Sequence, residues 1–110
     1  MARHKVKITV MKVVDPNDLY GEDTPINPET GKPHVKCPVH QVGQEYFITH
    51  NYAKPDGFCP GAWHDIRETV SVLHLGGKFH PWLKENEMIK CCTDGLRPVV
   101  FRIERLEQLG

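Results

Sequence analysis

The chain has 110 residues, with 14 basic and 14 acidic side chains and no formal net charge at neutral pH. That length supports one hydrophobic core, so a single domain over residues 1–110 is expected. The even charge balance provides no overall field to draw in nucleic acid or an anionic membrane, and neither is expected as a partner.

The opening MARHKVKITVMKVV has apolar residues, but Lys5, Lys7 and Lys12 interrupt every run long enough for a signal-peptide core or a membrane span. A cytoplasmic location is therefore expected, where cysteines are free, catalytic or metal-bound more often than paired in structural disulfides. From Lys5 to Val14, Val6, Ile8 and Val10 alternate with Lys5, Lys7 and Thr9, the pattern of a half-buried strand. Residues 15–36 carry Pro16, Pro25, Pro28 and Pro33 among polar residues, and neither a helix nor a ladder is expected there. A loop of that length is a functional flap, an arm gripping another subunit, or a disordered stretch, with Leu19, Tyr20 and Ile26 available to dock.

Gln44 to His50 reads as a second strand after the turn at Gly43. Trp63, Ile66, Val70 and Leu73 then recur at helical spacing, with Gly76 and Gly77 supplying the positive φ of a C-terminal cap and His74 suited to the negative helix end. Met88 to Cys92 and Pro98 to Leu106 read as a hairpin around Thr93-Asp94-Gly95. Val99, Phe101 and Ile103 form one face of its second strand. The order of elements predicts an α+β domain, a curved and mainly antiparallel sheet packed on one principal helix. Such a sheet has open edges, and a homo-oligomer in which the 15–36 loop covers a neighbour's edge is the expected assembly.

The four cysteines and nearby polar groups are the candidate chemistry. Cys37-Pro38-Val39-His40 is a C-x-x-H pair able to hold one ion from a tight turn, or else a small buried cysteine beside a surface histidine. Cys59, followed by Pro60, falls at or next to a helix N-cap, where free N–H groups and the helix dipole favour a thiolate; it also has the makings of an ordinary apolar packing residue beside Trp63 or Phe58. His64 either stays near Cys59 or pairs with Glu68 on an exposed face, the latter being favoured. His80 precedes Pro81 and is either a surface or loop histidine, as favoured, or a ligand. Cys91 and Cys92 are adjacent on a strand and should point to opposite faces, one structural and one functional, unless the backbone bends near Thr93-Asp94-Gly95 and brings both sulfurs inward for a vicinal disulfide or joint ligation. Arg97 either contacts an anionic ligand or, as favoured, locks the hairpin to Asp94 or Glu104.

The motifs KVKITVMKV, CPVHQVGQEY, GFCPGAWHDI, GGKFHPW and CCTDGLRPVVFRIE together resemble a family of short uncharacterised prokaryotic proteins, frequent in anaerobic bacteria and archaea. The resemblance spans nearly the whole chain, except that the loop from Asp15 to Val35 is longer than is usual there. It implies kinship but carries no activity. From the residues, the leading expectation is a soft-metal protein holding zinc or an iron–sulfur cluster through Cys37, Cys59 and one or both of Cys91 and Cys92, with or without His40. A thiol enzyme or redox protein using Cys59 is the second expectation, and an accessory binding module without chemistry is the third. No particular small-molecule ligand is indicated.

Overall fold

The computed structural model describes residues 2–79 and 81–110; His80 lies outside them. Four strands form one antiparallel sheet in the order β4-β1-β6-β5: β1 His4–Val13, β4 Glu45–Ile48, β5 Glu87–Cys91 and β6 Val99–Gln108. The 15-residue helix α2, Pro60–His74, covers one face. The α+β architecture with one principal helix is as the hydrophobic periodicity predicts. Among the described residues no helix is long and apolar enough to cross a membrane.

Alternation places the core. Val6, Ile8 and Val10 of β1 and Val99, Phe101 and Ile103 of β6 are buried, and Ile66, Val70 and Leu73 of α2 close over them. The other sheet face carries charge, with Lys7 Nζ 3.8 Å from both Glu45 and Glu104. Register irregularities at His4/Val6 and Val10/Lys12 interrupt the long β1·β6 ladder near both of its ends.

The helix end at Gly76-Gly77 has a more specific basis than two flexible glycines. Gly76 N–H reaches Leu73 O and Gly77 N–H reaches Val72 O, the paired bonds of a Schellman cap. Only Gly76 has positive φ, +86°. At Gly77 a Cβ would lie 2.5 Å from Val72 Cγ1 and 2.9 Å from Val72 O, so close approach excludes a side chain there. His74 is buried in the last turn and donates from Nδ1 to the carbonyl of His4 at 2.7 Å, tying the helix end to β1.

The 15–36 segment corrects an expectation. It forms a short helix α1, Pro16–Tyr20, a 3-10 turn at Gly21–Asp23, and a two-stranded ladder of β2, Ile26–Asn27, with β3, Lys32–Pro33. The prolines do not prevent this, because Pro16 occupies the first helical turn, where no intrahelical N–H is needed, and Asp15 caps it through Asn17 N–H. The ladder closes over Gly31 at φ +72°. Tyr20 OH donates to Gly95 O at 2.5 Å, so the segment is docked on the β5–β6 loop. Leu19 and Ile26 stay exposed, at 51% and 54%.

Candidate functional site: a cavity lined by thiols

Three of the four cysteines line one cavity. A cavity of about 240 Å³ beside the N-terminus of α2 is lined by Cys37, Cys59 and Cys92, together with His40, Asp65 and Arg97. Cys37 comes from the irregular segment before β4, Cys59 from the helix start, and Cys92 from the loop just after β5. All four cysteines are free. Cys91 does not line the cavity. It is exposed at the last position of β5, on the same face as the exposed Ile89. Cys92, the residue just after β5, is the cavity residue of the adjacent pair.

Cys59 is the N-cap of α2, with extended φ and ψ and Pro60 following it. Its side chain bonds none of the helix N–H groups. The preceding turn seats it: Gly57 at φ +78° and the bond from Phe58 N–H to Pro55 O drive Phe58 into the core, where it is 2% exposed. Cys92 is held twice by Val99, since Cys92 N–H donates to Val99 O and Val99 N–H reaches Cys92 Sγ at 3.3 Å. At Cys91 desolvation, and then the neighbouring Cys92, raise the thiol pKa above its ordinary value.

His40 is placed otherwise than either sequence reading supposed. It is buried at 2% exposure, between Phe58 at 4.9 Å and Phe101 at 5.4 Å by ring centroids, while Cys37 is only half-buried. Its Nε2 accepts the N–H of Cys59 at 3.3 Å, so the proton sits on Nδ1, which faces Gln44 Oε1 and Tyr46 OH at 3.3 and 3.2 Å. With its lone pair so used, His40 orients the Cys59 backbone, and it ligates a metal only by giving up that bond. Burial lowers its pKa, partly offset by Gln44, so the ring is held neutral. A base with a lowered folded pKa contributes stability that is complete above the ordinary imidazole value of about 6.5 and is lost as the pH falls through the folded pKa, because the unfolded chain takes up the proton first. His40→Gln is therefore expected to flatten the fall in urea midpoint between about pH 7.5 and 5; profiles that run parallel would refute this role.

Two carboxylates, Asp65, which was not singled out from sequence, and Asp94, which was, shape the mouth. Asp65, on the second turn of α2, accepts Thr93 N–H at 2.7 Å and lies 3.1 Å from Thr93 Oγ1, clamping the β5–β6 loop to the helix. Asp94 accepts Leu96 N–H and Arg97 N–H, and its Oδ2 lies 3.4 Å from Arg97 Nε. Partial burial raises the Asp94 carboxyl, but these N–H bonds and the guanidinium outweigh it and the net shift is downward. The favoured lock between Arg97 and Asp94 is thus present. The hairpin turn itself is wider than an Asp-Gly pair suggests. Gly95 is not at positive φ, and the side chain of Asp94 organises the loop instead. An aspartate two residues before a required N–H is the one local signal that points to this. For Asp65 no local signal exists, since its partner is 28 residues away.

His64 is exposed and does not line the cavity; no ion pair with Glu68 forms among the described residues. Also among the described residues, no three His, Cys, Asp or Glu side chains stand close enough to hold one ion as placed. Joint ligation by the three sulfurs requires them to move inward. Comparison of the chain with family models, with curated proteins and with solved structures returned no match.

Proposed function

We propose that the cavity is a thiol-dependent site for a small molecule, with Cys59 as the reacting sulfur. The observation that carries this reading is the convergence of Cys37, Cys59 and Cys92 on one space of about 240 Å³, with Cys59 at the N-terminus of a four-turn helix. That space is several times the roughly 30 Å³ of a water molecule and suits the end of an organic ligand better than a bare ion. As the N-cap residue, Cys59 sets its sulfur against the first turn of α2, 3.9 Å from where a Cβ on Gly61 would stand. The chemistry that uses more than one sulfur is thiol–disulfide exchange. Cys59 thiolate attacks one sulfur of a small disulfide, the S–S bond breaks, and the far sulfur leaves as a thiolate. Cys37 or Cys92 then attacks Cys59 in the mixed disulfide, releasing the second small thiol. Two protein thiols are oxidised as one disulfide is reduced, and two equivalents of another small thiol return the protein to its starting state.

Peptide-mapped alkylation with iodoacetamide at mildly acidic pH tests this. Cys59 is expected to react first, and Cys91 to lag in spite of its exposure, because its pKa is raised. Cys91 reacting first while Cys59 stays inert would remove the proposal.

A second reading, a soft metal ion on Cys37, Cys59 and Cys92, is favoured by the same convergence and by the irregular Cys37 segment, which has no ladder to break on closing inward. Metal analysis after anaerobic purification separates the two. Stoichiometric zinc, or iron with sulfide, would replace the thiol reading with this one.

A further inference from the structure

We propose that the cavity between the β2–β3 segment and Arg97 binds the carboxylate or phosphate of a small anionic substrate, with the rest of that substrate extending to the thiols. The assignment of substrate class rests on the thiol reading; the anion site does not. This second cavity, of about 440 Å³, is lined by Asn27, Thr30, Lys32, His34, Lys36 and Arg97 among others, and its lining holds no acidic side chain. Arg97 lines both cavities, so an anion held there lies next to the space that Cys59 faces.

Three features set these cations apart from an ordinary solvated surface. Lys32 and Lys36 are exposed, yet neither enters an ion pair among the described residues. Arg97 is ion-paired with Asp94 through Nε, 3.4 Å from Oδ2, and among the described residues the outer edge of its guanidinium, the two terminal nitrogens, donates no hydrogen bond to the protein. A planar fork in that condition is suited to a bidentate oxyanion. The third feature is the support beneath the lysines. Gly31 N–H bonds Asn27 O at 2.8 Å and His34 N–H bonds Pro25 O at 3.0 Å, while Tyr20 anchors the segment to the loop that carries Arg97. The basic residues are therefore presented on a folded element at a set place beside the site.

The test compares two alkylating agents that differ in charge. Iodoacetate and iodoacetamide both form a carbon–sulfur bond at Cys59 and release iodide, but only the first carries a carboxylate. The iodoacetate-to-iodoacetamide rate ratio at Cys59 is expected to exceed that of a free cysteine peptide by about tenfold at low ionic strength, and to collapse toward the peptide value with added salt. Arg97→Ala and the double variant Lys32→Ala/Lys36→Ala are each expected to reduce the ratio. Inorganic phosphate, followed by amide shifts of Gly31 to Lys36, is the separate arm: shifts with protection against iodoacetate identify phosphate as a ligand group, and a raised ratio without shifts identifies carboxylate. A Cys59 that is inert to iodoacetamide would sink the thiol reading alone, since the phosphate arm still reads the anion site. A ratio equal to that of the peptide, a ratio untouched by both variants, or, where Cys59 is inert, no shift with phosphate, overturns the anion site.

Discussion

Phe58→Ala is expected to lower the unfolding free energy by about 3–5 kcal/mol, the usual cost of emptying a buried aromatic site. Phe58 is 2% exposed and lies in an aromatic cluster, with ring centroids 4.9 Å from Tyr46, 4.9 Å from His40 and 5.2 Å from Phe101. The loss combines transfer of the ring to water, the void left behind, and aromatic pairs, edge-on with Tyr46 and tilted with His40 and Phe101, worth about 0.5–1.5 kcal/mol each. Against a typical domain stability of about 5–15 kcal/mol, this is a large fraction. The effect reaches the site because Phe58 is the covalent neighbour of Cys59 and packs on the ring that accepts the Cys59 N–H. The urea midpoint should fall with the slope unchanged, and alkylation of Cys59 should lose its lead over Cys91. A loss below about 1 kcal/mol would show that the cluster is not the support described.

Cadmium is expected to bind one ion per chain in a manner that depends on Cys37, Cys59 and Cys92 but not on Cys91. The ion serves here as a probe of where sulfurs converge, whatever the natural ligand. Three thiols line one cavity while Cys91 stands outside it, and soft ions select thiolates over oxygen donors. Loss of an outer hydrogen-bond partner to a ligand already costs about 10–100-fold in metal affinity, so Cys37→Ser, Cys59→Ser and Cys92→Ser should each cost at least about 100-fold. The ultraviolet thiolate-to-cadmium charge-transfer band supplies the readout. Equal loss in Cys91→Ser, or full retention in Cys37→Ser, would mean that the sulfurs do not converge in solution as they do here.

Local order was legible wherever a residue's role depends on near neighbours. The β1 alternation, the α2 stripe, Cys59 before Pro60 and the glycine cap are all set by contacts within a few positions, and each appears at its expected place. The proline-rich 15–36 segment misled because proline forbids helix interiors and tolerates first turns, and composition alone does not say which applies. Asp15 and Pro16 together are a cap, and that pair was the readable signal.

By itself, then, the sequence determined the α+β class and the amphipathic helix with Cys59 at its head. These follow from the periods of strand and helix, which act at short range. Only the tertiary structure decided that Cys37, Cys59 and Cys92 share a cavity, that His40 is buried with its lone pair on the Cys59 amide, and that Arg97 stands between the thiols and a basic cleft. Each of these joins segments distant along the chain through the antiparallel register of β1, β6 and β5 and the docking of α2 on it. Such proximities depend on how whole faces pack to exclude water, a property of the complete set of apolar residues that no single stretch encodes.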